Sequence, residues 1–457
     1  MSKTVLHAPI GWPADDISCM LNRRVIDQHA EEAGFLWGMR HQAVHAPHYN
    51  LADIAELDEA VEAHLDGLRV AGQTGRHAAM FLAPDAPENI FPLVVLAFGE
   101  NGYNRDTLRD AFILGSLNAE ALSALVSGLG WLDYATVAPV LPELMGAQVS
   151  FYRLVGIAAS AIHRQDPGPL LEKLIGDPDD QVRARALRAA GELKRRDLAA
   201  QVFAHIKDDN EPCRFWVAWT SSLLRLPNAL GALYPYLLDV VSPFNLHALH
   251  MGLRCAKPAQ QAEWFDTLCN TPGLERQAVI AAGIIGDLEA MPWLIEQMQQ
   301  PALAKYAGEA FSMMTGVDIY YDDLDLKEEE EEAALEDADN EEDEDSEDDD
   351  ENDEDDDGEV PENDDEEMPD PDDETDLPVP DPGLIAAWWE RHKHHYTIGK
   401  RYLAGEIIDA NAAINVLRNG LQRQRKAAAL ELALLQPDWI LFETRAPGKR
   451  QKRMLNP

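Results

Sequence analysis

His41, His45 and His48 stand four and three residues apart, the spacing at which one helical face can present imidazoles side by side to a metal ion. Pro47 falls inside that run. A proline within a helix removes a hydrogen bond and clashes with the preceding turn, so the helix is expected to end there. No nearby cysteine or acid completes a ligand set, and the three are read as capping or surface histidines. His392, His394 and His395 form a second polar group beside two tryptophans, read as a polar face or an anion contact. A hydrolase needs a nucleophile held in a defined turn, and the chain has no G-x-S-x-G, no P-loop and no H-E-x-x-H. Gly99-Glu100-Asn101-Gly102 reads as a turn, and Asp58, Glu59 and Glu62 as the solvated face of a helix. No catalytic residue, no metal ligand and no cofactor is assigned.

Aromatic pairs offer a different chemistry. Trp388-Trp389 and Trp216-x-x-Trp219 sit on expected helices. Aromatic anchors dominate the energetics of protein interfaces, so these four are the candidate partner-binding residues. Burial in a helical core is the alternative.

Charge is concentrated in one place. Residues 322–381 hold 38 Asp and Glu against a single base, Lys327, which is −37 of the chain's −44. Residues 1–321 carry −14 and residues 382–457 carry +7. Such a run repels itself and has almost nothing apolar to offset chain entropy, so it is expected to be disordered. It lacks the spacing of an EF-hand. A polyanion of this density attracts basic partners and weakens with salt, which makes it either a solvating spacer or a decoy that competes with nucleic acid for a basic protein. The −14 of the body disfavours nucleic-acid binding. Lys449, Arg450, Lys452 and Arg453 could touch phosphate, but are expected to meet the acidic run instead. No signal peptide is read at residues 1–9, and no window is long and apolar enough for a membrane helix. Four scattered cysteines, Cys19, Cys213, Cys255 and Cys269, fit small buried thiols in a reduced cytoplasmic chain.

The elements that must position these residues read as helix after helix. Asp177-Pro178-Asp179-Asp180 turns the chain, caps a helix and places acids in its first turn. Val182, Ala186, Ala189, Ala190 and Leu193 then mark one face, and Leu170, Leu171, Leu174 and Ile175 line the preceding helix. The pattern recurs at Val182, Cys213, Leu246, Arg276 and Ala304, in steps of 31, 33, 30 and 28, with an earlier copy near residues 106–112. Small residues such as Ala190, Gly191, Ala282 and Gly283 let neighbouring helices approach. This is the arithmetic of stacked helical hairpins, each burying its face against the next. Residues 51–72 form an amphipathic helix with a stripe of Ile54, Leu57, Val61, Leu65 and Leu68 and a stop at Gly72. After the acidic run, Leu377-Pro378-Val379-Pro380-Asp381-Pro382 is a stiff re-entry segment, followed by two expected helices that dock on the last repeats. The organisation expected is an all-α, helical-repeat solenoid. It comprises an N-terminal helical cap (1–90), repeats (91–321), a disordered acidic insert (322–381) and a basic helical extension (382–457).

The D-x-V-R-x-x-A-x-x-A-x-G form at 180–191 resembles the HEAT repeat in its short, lyase-like variety. That resemblance implies that the arginine at Arg183 bonds an acid of the neighbouring repeat, and that Arg109 and Arg214 are structural too. Residues 57–72, Ala307-Gly308-Glu309-Ala310-Phe311-Ser312-Met313-Met314-Thr315-Gly316 and the Trp-rich, Arg-rich tail further resemble an uncharacterised bacterial family of HEAT-like-repeat proteins. The genes of that family are often found beside type VI secretion genes. The resemblance implies a non-enzymatic, cytoplasmic scaffold or adaptor that binds another protein, such as a secretion effector. Two alternatives stand beside it: an immunity or inhibitor protein that neutralises a basic toxin through the acidic insert, and a small-molecule enzyme like the phycobilin lyases.

Overall fold

Helices begin where the sequence supplies a side-chain acceptor. Asn104, Asn118, Asp179, Asn210 and Asp409 each accept a hydrogen bond from a first-turn amide that no helical carbonyl can reach. A computed structural model describes residues 22–84, 86–99, 102–327 and 376–456, and the chain divides into two compact units. The architecture is all-α and built as a helical-repeat solenoid.

Of the described residues, 22–43, 52–84, 86–99, 102–163 and 446–448 make up the first unit. Its helices are α1 (Arg23–Ala43), α2 (Leu51–Val70), α3 (Gln73–Leu82), α4 (Ile90–Leu96), α5 (Arg105–Gly115), α6 (Ala119–Trp131), α7 (Tyr134–Val137), α8 (Leu141–Met145) and α9 (Ser150–Ile162). All of α4 is buried, and Phe91 within it stacks on Trp37 and meets Trp131 edge-on. The expected stripe of α2 turns inward, with only Leu57 partly exposed, and Gly72 ends the turn after it at φ 59°. A short hairpin of β1 (Phe98–Gly99) and β2 (Gly102–Tyr103) flanks residues 100–101, which lie outside the described residues. Asp58 departs from the solvated face expected of it. Its carboxylate is buried, accepts from Arg40 Nε at 2.8 Å and from the amide of Gly448, and so serves as an internal counter-charge.

Of the described residues, 44–51, 164–327, 376–445 and 449–456 make up the second unit. Its repeats are helical pairs: α10 (Pro169–Leu174) with α11 (Asp180–Glu192), α12 (Ala199–Ala204) with α13 (Glu211–Leu223), α14 (Ala229–Leu238) with α15 (Asn245–Cys255), α16 (Pro258–Cys269) with α17 (Glu275–Ile285), and α18 (Met291–Gln297) with α19 (Pro301–Thr315). The five positions that set the sequence period all fall in the second helices. These helices pack in order, α11 on α13, α13 on α15, α15 on α17 and α17 on α19. Close approach depends on Gly191, where an added Cβ would lie 2.5 Å from Thr220 Oγ1. Arg183 makes the inter-repeat contact expected of it, with Nε 2.8 Å and Nη2 2.9 Å from the two oxygens of Asp208. Arg214 donates to the carbonyls of Asp208 and Asp209, whereas Arg109, in the first unit, pairs with the exposed Asp106 and the half-exposed Asp110 of its own helix.

After the acidic run the tail is richer than two helices. It forms α20 (Pro382–His392), α21 (Ala410–Asn419), α22 (Gln422–Leu435) and α23 (Gly448–Leu455), with a hairpin of β3 (Tyr402–Leu403) and β4 (Glu406–Ile407). Ala404 and Gly405 both take positive φ, as a two-residue hairpin turn requires. The tail docks on the last repeats as expected: α20 lies against α18, and the amides of Ala404 and Gly405 donate to the Met313 and Met314 carbonyls near the end of α19. Of the run expected to be disordered, 322–381, the ends 322–327 and 376–381 are described and hydrogen-bonded to each other, with Leu326 N donating to Val379 O and Asp381 N to Leu324 O, whereas 328–375 lie outside the described residues.

Candidate functional site

Three basic residues occupy the left-handed region of backbone space, where a side chain costs about 1 kcal/mol or more. They are Arg164 (φ 52°), Lys194 (φ 56°) and Arg225 (φ 59°). Lys194 and Arg225 follow α11 and α13, and all three reach into the C-terminal segment. Lys194 Nζ donates to the Ala433 carbonyl at 2.8 Å, Arg225 Nη2 to Leu434 at 3.1 Å, and Arg164 Nε to Leu441 at 2.7 Å. Ala433 and Leu434 lie in the last turn of α22, where carbonyls have no helical donor and the helix dipole favours cations. At the next-but-one repeat the left-handed position is Gly286 (φ 73°), whose carbonyl accepts from Tyr402 N at 2.8 Å. A Cβ there would lie 2.3 Å from the Tyr402 carbonyl oxygen, so only glycine fits. The ends of α11, α13 and α17 thus hold the tail, and α22 lies against α15.

Beneath the tail lies a charged cavity of about 70 Å³, partly open to solvent. Its charged lining is Arg164, Arg188, Lys426 and Arg445 against Glu192 and Glu443, with His247 and His250 among its neutral walls. Glu192 is 1 % exposed and receives Arg164 Nη1, Arg185 Nη1 and Arg188 Nε at 3.1–3.2 Å. Glu443 receives Arg164 Nη2 at 3.1 Å and two nitrogens of Arg445 at 2.9 Å. Burial opposes ionisation of Glu192, but the three guanidiniums prevail and hold its pKa at about 2. Burial likewise opposes ionisation of Glu443, yet Arg445 and Arg164 hold it well below the ordinary carboxylate range. Desolvation, joined by Arg445 and Arg188, pushes Lys426 well below the usual lysine value. Desolvation and nearby cations keep both imidazoles neutral.

A second, larger feature surrounds the roots of the acidic run. A groove of about 950 Å³ is bordered by α19, by the turn after it, by the two described ends of the run and by the start of α22. The two ends are zipped together: Leu326 N donates to Val379 O at 2.9 Å and Asp381 N to Leu324 O at 2.8 Å. Asp381 also caps α20. Asp318 Oδ1 accepts from the amides of both Tyr320 and Tyr321 at 3.1 Å and fixes their turn. Those two rings are 65 % and 80 % exposed and meet edge-on at 5.6 Å. Carboxylates of Glu309, Asp318, Asp325 and Asp376 line the groove with Lys305, Lys327 and Arg423. Lys327 pairs with Asp323 and Asp325, and Arg423 with Glu309 at 2.8 Å.

The expected partner-binding tryptophans fall in two environments. Trp216 is fully buried under Arg188, whose guanidinium lies 4.4 Å above its ring, and Trp219 is 5 % exposed at the cavity wall. Trp388 and Trp389 are half-buried on α20, with Trp388 against Phe311 and His392 and Trp389 against Tyr396. The first histidine group is divided: His41 stacks on Trp37 in α1, whereas His45 and His48 lie beyond the end of that helix. Among the described residues no group of three or more His, Cys, Asp or Glu is placed to hold a metal ion. Cys213 is buried and Cys255 half-buried, but Cys269 is exposed rather than enclosed; Cys19 lies outside the described residues. Sequence reasoning missed Tyr320 and Tyr321, and it missed the left-handed cations. The signal for the latter was their recurrence at the repeat period, in line with Gly286.

Residues 168–250, which run from α10 into α15, match the family model for HEAT repeats, and this supports a HEAT-like repeat protein. No curated protein and no solved structure matches the chain. Among the described residues no helix is long and apolar enough to cross a membrane.

Proposed function

We propose that this chain is a non-enzymatic scaffold that binds a basic protein segment in the groove at the roots of its acidic run. HEAT repeats generally act as protein-interaction scaffolds, which is compatible with this reading. The observation that carries it is the juxtaposition of an exposed tyrosine pair with the point where the polyanion leaves and rejoins the fold. Residues 328–375 contain 33 acids and no base, so a cationic partner is concentrated at the groove mouth. Tyr320 and Tyr321 then supply flat, amphipathic contact area of the kind that anchors interfaces. Trp388 and Trp389 are a second aromatic contact in the proposal.

The face built by the second helices of the repeats is held by the chain's own tail, which favours the groove over that face as the docking surface. The family resemblance supports a finer reading, a cytoplasmic accessory to type VI secretion or to its effectors. The acidic run also favours one alternative, an immunity protein whose partner is a basic toxin. Both readings are tested by capture with the full chain as bait, beside variants lacking 328–375 or carrying Tyr320→Ala and Tyr321→Ala. A basic partner retained by the full chain and lost from both variants supports the scaffold. Equal capture by all three overturns it. A captured protein that kills cells lacking this chain selects the immunity reading.

A further inference from the structure

Two histidines of the first unit meet between a pair of helices. His29, on α1, and His64, on α2, bring their Nδ1 atoms to 3.3 Å, with the ring planes at 71° and both side chains half-buried. The approach is built into α2. Gly67 lies one turn beyond His64, and a Cβ there would fall 2.8 Å from His29 Nε2. Glycine inside a helix costs about 1 kcal/mol relative to alanine, and here it makes the space that the His29 ring occupies. The buried pair of Arg40 Nε and Asp58, 2.8 Å apart, ties the same two helices together. One proton can serve a contact between two imidazole nitrogens, and so can a metal ion that takes both lone pairs. Zinc holds imidazole nitrogens at about 2.0–2.1 Å in a tetrahedral set, which places two of them about 3.3–3.4 Å apart. The His29–His64 separation matches that edge. Among the described residues no third His, Cys, Asp or Glu joins the pair to complete a set, so water or an external ligand takes the remaining positions, as suits an exchangeable ion rather than a structural one.

We propose that His29 and His64 form a two-imidazole site for a divalent transition metal of the zinc class, with Gly67 as the positioning residue that admits the His29 ring. The bound ion would tie α1 to α2 beside the Arg40–Asp58 pair.

The test is cobalt(II) titration of the full chain, purified free of metal and followed by visible absorption. Four-coordinate cobalt absorbs far more strongly than six-coordinate cobalt held by water and carboxylates, so ions gathered by the acidic run stay nearly silent. A saturable band that zinc discharges is expected. His29→Gln and His64→Gln each keep a polar side chain but remove a ligand, and each should weaken binding by about tenfold or more. Gly67→Ala should weaken it too while leaving the far-UV circular dichroism unchanged, because the methyl displaces the His29 ring rather than the helix. His394→Ser with His395→Ser, in the exposed tail group, should leave the band as it is. Absence of a strong band, a band unchanged in both glutamine variants, or a band lost with His394 and His395 overturns the site.

Discussion

Lys194, held in a left-handed turn at the end of α11, places its ammonium 2.8 Å from the carbonyl of Ala433 in the last turn of α22. The contact joins the end of a repeat to the end of the tail helix, and Arg225 repeats it one unit later on Leu434. Lys194→Met and Arg225→Met should each destabilise the second unit by about 1 kcal/mol, since each removes a charged cap from otherwise unpaired carbonyls. Denaturant unfolding followed by far-UV circular dichroism checks this, and a cost near zero in both variants would show that the tail is held by apolar contact alone.

Lys194 also carries a pH signature. Desolvation, with Arg196 adding to it, lowers its pKa to about 8 from the ordinary 10.5. Between those values the unfolded chain holds a proton that the folded chain has released, so this group's contribution to stability rises as pH increases from about 8 to about 10.5. The stability difference between the unaltered chain and Lys194→Met should therefore grow across that window. A difference independent of pH would contradict the assignment.

Acid should act on the opposite sign of group. The pKa of Glu192 is lowered from 4.5 to about 2 despite its burial, through Arg164, Arg185 and Arg188. Its stabilisation is complete above its unfolded value and is lost as pH falls from about 4.5 towards 2. Glu192→Gln should cost roughly 3–5 kcal/mol at neutral pH, because it strands buried guanidiniums, and should flatten the acid limb of the stability profile. Equilibrium unfolding over that pH range measures both effects.

Packing between repeats rests on small residues. Gly191→Ala would force a methyl to within 2.5 Å of Thr220 Oγ1, and Gly283→Ala one to within 3.0 Å of the Ala310 Cα. Each should destabilise by about 1–3 kcal/mol, read as a lower denaturation midpoint with an unchanged slope.

These outcomes also mark what the sequence made legible. The period through Val182, Cys213, Leu246, Arg276 and Ala304 located every second helix from α11 to α19, because apolar spacing and helix burial obey the same geometry. Asp179 as a cap and Arg183 as an inter-repeat donor were legible for the same reason: their partners lie within one repeat length. Asp58 was not, because its partner Arg40 lies on another helix and a lone acid on an amphipathic helix looks solvated. The cavity was hidden for a similar reason. Arg164, Glu192, Lys426 and Glu443 are distant in sequence, and each alone resembles an ordinary surface charge. Arg164, Lys194 and Arg225 did carry a faint signal in their spacing, but a basic residue after a helix is common enough to pass unremarked. The tail hairpin was missed because Leu403-Ala404-Gly405-Glu406 lacks the Asn-Gly or Asp-Gly pair that announces such a turn.

The tyrosine pair tests the docking surface without touching the core. Tyr320→Ala with Tyr321→Ala should leave the denaturation midpoint nearly unchanged, given their exposure, while weakening partner affinity by about tenfold or more. Loss of stability instead of affinity would assign the pair to the fold.

The most direct measurement is the salt dependence of partner affinity for the full chain beside the chain lacking 328–375. The account predicts affinity for the full chain that falls steeply as salt rises, and for the shortened chain a weaker affinity with a much flatter salt slope. Equal affinities with the same shallow slope would contradict it, leaving the acidic run as a spacer and the groove without its basic partner.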